Sequence, residues 1–410
     1  MQQGSSNKAM AFIFATLLID IIGIGIIIPV MPKLIENLIH GDLSVASKYN
    51  GWLIFTYAIM QFICSPILGG LSDKYGRRPI LLISLFGLGL DYVLLALAPN
   101  ITWLFIGRAI AGIGGASFTT ASAYIADVST PEKRGQNFGL IGVAFGLGFI
   151  IGPVIGGLSS HHFGPRAAFW IASVLSLINF LFGLFVLPES LPTKHRRKFE
   201  WKRANPIGSL VSLKRFPVIA SLIVTLLLVN LAAHAVQSTW TYFTMFQFKW
   251  SEQMVGYSLG VVGLLIAFVQ GFLIRLVIPK FGQANTVFYG LIFYFIGLLL
   301  FAFATQEWMM FAILVIYCLG GIAGPALQGI ISTQVPQNEQ GELQGGLTSL
   351  MSITSILGPL MMNNLFAYFS TSQAPVFFPG APFLAGAVLL LVGILLAIPF
   401  LKKHRTPKSS

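Results

Sequence analysis

The sequence predicts an all-α membrane protein with twelve transmembrane helices in two six-helix halves. Three observations carry that prediction: a composition too apolar for a water-exposed surface, apolar runs of bilayer length from end to end, and an internal repeat. Hydrophobic residues make up 55% of the 410 residues and charged residues only 9%, where soluble domains carry about 25% charged residues. So few charges cannot cover a solvated surface.

A hydrocarbon core takes roughly 20 apolar residues per helix. Runs of that kind lie near 9–32, 51–71, 79–98, 102–124, 136–158, 167–188, 217–239, 255–278, 286–304, 308–331, 343–368 and 379–401. The first is too long for the core of a signal peptide and holds Asp20 and two prolines, so it reads as a retained span.

The net charge of +12 follows the placement of the basic residues and calls for no nucleic-acid partner. With the N-terminus in the cytoplasm, 20 of the 25 Lys and Arg fall on that side, while Lys33, Lys48, Arg166 and Lys249 fall outside and Arg108 lies within a span. The positive-inside rule then places both termini in the cytoplasm of an inner or plasma membrane. Cys64 and Cys318 lack the spacing of a metal site or disulfide framework and read as small apolar side chains.

A shift of about 206 residues superimposes Gly76 on Gly282, Gly135 on Gly341, Gly139 on Gly345 and Gly152-Pro153 on Gly358-Pro359. The domain reading is an N-terminal bundle over 1–188, a cytoplasmic linker over 189–216, a C-terminal bundle over 217–401 and a tail over 402–410. Parallel repeats of this kind place a substrate site near the midplane between them, the layout expected of a secondary transporter.

Between the second and third spans lies Gly69-Gly70-Leu71-Ser72-Asp73-Lys74-Tyr75-Gly76-Arg77-Arg78-Pro79. Its glycines permit a sharp turn, Asp73 can cap the following segment, and Arg77 and Arg78 can pair with acids on a neighbouring helix end. A second charge cluster, Asp127 to Arg134, closes the fourth span, and the two clusters together read as a cytoplasmic charge lock. A solvated loop that merely sets topology is the other reading, because exposed ion pairs contribute only about 0–1 kcal/mol.

In the fifth span Gly148, Gly152 and Gly156 recur every four residues beside Pro153, a spacing that aligns small residues for close helix packing. Asp20, Asp91 and Arg108 lie within spans. Each costs about 2.5–3.5 kcal/mol at a helix centre, which makes each a candidate for proton coupling or substrate handling. A role in orienting helices by capping or pairing remains open. Candidate substrate-binding residues are Tyr57 and Gln61, then Asn230, His234, Gln237 and Trp240 along the seventh span, and Gln328. His234 reads equally as a neutral helix-contact residue.

The 69–79 loop, in its place between spans two and three, resembles the signature of the major facilitator superfamily, and the glycine string of the fifth span is similar to that of its antiporters. The Asp20 string, Gly89-Leu90-Asp91-Tyr92, Ile125-Ala126-Asp127 and the run Gly320 to Gly329 resemble the tetracycline-efflux family of drug/proton antiporters over nearly the whole chain. That resemblance implies the major facilitator fold, proton-coupled export of an amphiphilic drug-like compound by alternating access, and function as a monomer. It assigns Asp20, Asp91 and Arg108 to proton and substrate handling, and Asp73, Arg77 and Asp127 to gating.

Ile266 and Tyr294 stand where the best-known tetracycline pumps carry a histidine and an aspartate, so the metal–tetracycline route does not carry over directly. An importer or symporter of the same fold, or a sensor derived from one, are the alternatives. No P-loop, HExxH, GxSxG or clustered metal ligand is present in the sequence. The expectation is therefore no enzyme, no cofactor and no bound metal, with a small molecule, protons and the lipid bilayer as partners.

Overall fold

The computed structural model describes residues 3–115, 117–129, 134–196, 213–335, 339–372 and 374–403. Side chains at 3–9, 117, 118, 134–139, 195 and 340–342 lie outside that description, as do most of the basic linker and the tail. Arg134 is therefore placed only as the first residue of its helix.

The α-helices in chain order are α1 (Gln3–Ile27), α2 (Met31–Ile39), α3 (Leu43–Tyr75), α4 (Arg77–Leu97), α5 (Ile101–Gly114), α6 (Ser117–Val128), α7 (Arg134–Phe163) and α8 (Pro165–Val186). After the linker come α9 (Ala220–Phe248), α10 (Glu252–Phe268), α11 (Ile274–Ala302), α12 (Glu307–Leu319), α13 (Ala323–Thr333), α14 (Gln340–Phe369) and α15 (Ala381–Lys403). In hydrocarbon a helix satisfies its own backbone, which is why apolar runs of this length fold this way. Large apolar side chains point outward from them, Ile83, Phe185 and Leu264 among others, as contact with lipid tails requires.

Among the described residues, eleven helical stretches are long and apolar enough to cross a bilayer. The predicted spans 255–278 and 286–304 form one run, Glu252–Ala302, which bends at Gly282 with φ 76° and ψ 161°. Gly76, its partner in the repeat, separates α3 from α4 with φ 106° and ψ 160°. Only glycine adopts that conformation readily, so the two halves make the same turn at matching positions. The bend restores twelve spans.

Two predicted spans are not single helices. Residues 102–124 divide into α5 and α6 after Gly112-Ile113-Gly114-Gly115, and 308–331 into α12 and α13 around a 3-10 turn at Gly320–Ile322. Both breaks fall on glycine clusters, where a helix is least favoured. The first predicted span also stops early, because the chain turns at 28–30 and enters α2, a nine-residue helix that buries Met31, Leu34 and Ile35.

Two compact units emerge. The first comprises Met1–Gly41, Thr56–Asn205 and Trp250–Gly263, and the second Asp42–Phe55, Pro206–Lys249 and Leu264–Ser410. In the first, Phe12, Ile13, Leu17 and Ile21 of α1 pack with Leu81, Tyr124, Ile125 and Leu187. The seam between α1 and α7 is lined by glycine. A Cβ on Gly148 would lie 2.5 Å from Ile21 Cγ2, one on Gly152 2.7 Å from the Ile22 carbonyl oxygen, and one on Gly156 would strike the Ile26 carbonyl. Pro153 Cδ would lie 2.9 Å from a Cβ on Gly25 of the facing helix.

The second unit is held by aromatic rings. Phe301 meets Trp240 at 5.2 Å, and Phe383 meets Phe243 edge-on at 4.9 Å. In this unit Ser47 Oγ of α3 donates to Asn363 Oδ1 of α14 at 2.9 Å, and the hydroxyls of Ser44 and Ser370 lie 2.8 Å apart, all four residues buried.

Candidate functional site

The first unit gathers its functional side chains at two levels. Within the membrane, Asp91 of α4 has a wholly buried side chain, and one of its oxygens lies 3.2 Å from Arg108 Nη2 of α5. A Cβ on Gly107 would come within 2.6 Å of the other Asp91 oxygen, so the glycine one residue before Arg108 makes room for the carboxylate. The Arg108 guanidinium lies 6.0 Å from the centre of the Tyr57 ring, close enough for a cation–π contact. Gln61, one turn on from Tyr57, donates to the Gly115 carbonyl at 3.2 Å and to the Tyr57 hydroxyl at 3.4 Å. Gly112 and Gly115 bring the two helices together, since a Cβ on either would lie 2.5 Å from a Tyr57 oxygen.

Asp20 of α1 has a different environment. Among the described residues its carboxylate has no ion-pair partner, with Oδ1 buried and unbonded, and one turn back Thr16 exchanges two hydrogen bonds with Asn179 of α8, Asn179 Nδ2 donating to the Thr16 carbonyl and the Thr16 hydroxyl donating to Asn179 Oδ1, each at 3.3 Å. Tyr92, next to Asp91 on α4, reaches α1 beside Asp20, its hydroxyl 3.0 Å from where a Cβ on Gly23 would sit. The three ionisable residues singled out in the sequence thus share one neighbourhood.

The second level is the 69–79 loop. Arg77 reaches Asp73 at 2.5 Å, Asp127 at 3.2 Å and the Ser72 hydroxyl at 2.6 Å. Arg78 turns away and donates to the Leu184 carbonyl at 2.7 Å. Sequence reasoning missed Glu189. Its carboxylate accepts the backbone N–H groups of Arg77 and Arg78 at 2.9 and 3.3 Å and that of Leu191 at 3.0 Å. Gly76 at the N-cap of α4 offers no side chain, so Glu189 supplies from a distant segment the anionic cap that helix N-termini favour. Ser190 donates to Asp127 at 3.0 Å, and Tyr124 to the Pro188 carbonyl at 3.0 Å. A lone acid more than a hundred residues from its partners leaves no local signal in the sequence.

In the second unit, Asn230 donates to its own helix at the Leu226 carbonyl, and His234 packs on Gly358 of α14, where a Cβ would lie 2.6 Å from its Cγ. Gln237 and Gln328 are exposed. Trp240 is buried in the aromatic core and presents its ring to Phe301. Tyr294 sits against Gly320, with the Tyr317 ring 5.0 Å away. Beside it, α10 and α11 join through a π-helical turn at Val269–Leu273, which brings Gln270 Nε2 to 3.8 Å from where a Cβ on Gly321 would sit.

The family model for the Major Facilitator Superfamily matches residues 13–305 and 277–410. The chain belongs to the major facilitator superfamily. Within it, the chain is 39% identical to the class C tetracycline resistance protein of Escherichia coli over 387 residues, covering 94% of this chain and 96% of the relative. It is 35% identical to the class B protein of the same organism, with 96% of each chain covered, and so groups with the tetracycline resistance proteins. A bacterial homologue of the human lysosomal transporter Spinster, solved facing inward and unoccupied, shares the fold at a TM-score of 0.77 with 16% identity over the whole of both chains. The chain is therefore a multi-pass transporter of small molecules and not an enzyme.

Proposed function

We propose that this major facilitator protein is a proton-coupled exporter of an amphiphilic organic compound of the tetracycline type, working by alternating access as a monomer with both termini in the cytoplasm. The observation that carries the reading is the buried Asp91–Arg108 pair with Asp20 in the same membrane-embedded neighbourhood. Intramembrane charge is costly and mostly marks ion or substrate pathways. The relatives' names, which speak of tetracycline resistance, support export of such a compound.

Tyr57 and Gln61 of the first unit and Asn230, His234, Gln237 and Gln328 of the second supply polar groups in otherwise apolar helices, as an amphiphilic solute requires. Arg77, with Asp73 and Asp127, gates the cytoplasmic side, and Arg78 steadies the end of the sixth span. The test is uptake of a compound panel, tetracycline included, into inverted membrane vesicles under an imposed pH gradient. Accumulation that collapses with the gradient supports the reading; accumulation indifferent to it overturns proton coupling.

A further inference from the structure

The repeat shift of 206 residues, which lays Gly152-Pro153 on Gly358-Pro359, also lays Gly157 on Asn363 and Asn50 on Gly256. These four residues sit in two seams that the repeat makes equivalent, α7 against α10 and α3 against α14, each inside one compact unit. The two seams are built differently.

The α7–α10 seam is closed by backbone. A Cβ on Gly157 would strike the Glu252 carbonyl, and one on Gly256 the Pro153 carbonyl. Further along, a Cβ on Gly260 would lie 3.0 Å from Val154 Cγ2 and one on Gly263 2.5 Å from Ile150 Cγ1. Close packing of this kind gains dispersion and apolar burial, for which water offers no substitute.

In the α3–α14 seam amides stand at the repeat positions of Gly157 and Gly256, and side chains make the contact. Asn363 donates to the Pro359 carbonyl of its own helix at 2.8 Å, which turns its Oδ1 toward α3. There Oδ1 accepts from the Ser47 hydroxyl at 2.9 Å and from Asn50 Nδ2 at 3.5 Å. The Ser370 hydroxyl donates to the Phe366 carbonyl, so in its 2.8 Å pair with Ser44 the Ser44 hydroxyl is the donor. In these contacts α3 donates, α14 accepts, and every side chain involved is buried.

Water can take over each of these hydrogen bonds when the helices separate, so the exchange costs little per bond. Separating α7 from α10 would instead bare Ile150, Pro153 and Val154 with nothing to replace their contacts. We infer that the α3–α14 seam is a latch that releases during the transport cycle, with Asn363 as its acceptor, while the α7–α10 seam stays joined as the pivot. The inference rests on the alternating-access reading; with both termini in the cytoplasm, α3 begins and α14 ends at the outer face. Helices that the repeat makes equivalent therefore move unequally.

The test needs no transported compound. Full-length protein with Cys64 and Cys318 replaced carries spin labels at exposed positions beside one seam or the other, Val45→Cys with Ser372→Cys, or His162→Cys with Ser251→Cys. Double electron–electron resonance reads the distances in lipid bilayers at acid and at alkaline pH, with and without tetracycline. The pair at 45 and 372 is expected to show a second, longer distance under at least one condition, and the pair at 162 and 251 a single distance under all of them. Asn363→Ala removes the acceptor and raises the ratio of longer to shorter distance about threefold or more. Should it fail to insert, Ser47→Ala removes one donor and moves the ratio in the same direction. One distance at both seams throughout, equal lengthening at both, or lengthening confined to α7–α10 overturns the inference. So does an unchanged ratio in whichever variant inserts. Loss of gradient-driven uptake in the wild type, with the α3–α14 distance still in two populations, refutes the exporter reading alone; intact uptake with both seams separating alike overturns the latch alone.

Discussion

Arg77 Nε lies 3.2 Å from Asp127 Oδ2, and that single contact ties the turn between α3 and α4 to the end of α6. The same guanidinium reaches Asp73 one helical turn back, and only 10% of its side chain is exposed. Partial burial separates this cluster from the exposed surface pairs that contribute little.

The first prediction concerns this cluster. Arg77→Ala and Asp127→Asn lower the rate of transport about tenfold or more, the factor that ~1.4 kcal/mol represents, while substrate affinity stays within about twofold because the contact lies far from the membrane-embedded polar residues. Flux in proteoliposomes and equilibrium binding to purified protein check the two quantities separately. Normal turnover with weakened binding contradicts a gating role.

Glu189 gives the second prediction. Glu189→Gln keeps the shape but removes the charge that faces the N-terminus of α4, and loss of a cap costs about 0.5–2 kcal/mol. The expected outcome is a lower thermal unfolding midpoint, with Glu189→Ala lower still. An unchanged midpoint in both would show that the three backbone hydrogen bonds are replaced by water.

The two turn glycines give the third. Gly76→Ala and Gly282→Ala force a side chain into a conformation that costs of order 1–3 kcal/mol. At Gly76 the added Cβ also strikes the Glu189 carboxylate. Both variants should insert less efficiently, as read by the yield of monodisperse protein.

The halves, the spans and the charge clusters were legible because each follows from a physical requirement that leaves a mark on sequence. Bilayer thickness sets the apolar run length, the positive-φ turn demands Gly76 and Gly282, and helix contact demands Gly148, Gly152 and Gly156. Glu189 and Asn179 were not legible in the same way. Each acts on a residue more than a hundred positions away, and a lone acid or amide carries no local pattern to announce its partner. Tyr294 stands out in the sequence as a departure from the family, but that Gly320 gives its ring room becomes visible only in the fold.

A fourth prediction tests topology. With Cys64 and Cys318 replaced, a single cysteine at position 200 should react with an impermeant thiol reagent only in inside-out vesicles. Labelling in intact cells contradicts cytoplasmic placement of the linker.

The account stands most directly on one measurement: accumulation of a transported compound in proteoliposomes driven by an imposed pH gradient, compared between the wild type and the Asp20→Asn, Asp91→Asn double variant. The wild type should accumulate the compound and lose that ability when the gradient is discharged. The double variant, folded and inserted, should lose gradient-driven accumulation while still binding the compound. Full accumulation in the double variant would contradict coupling through the first unit and turn attention to His234 or to an ion other than the proton.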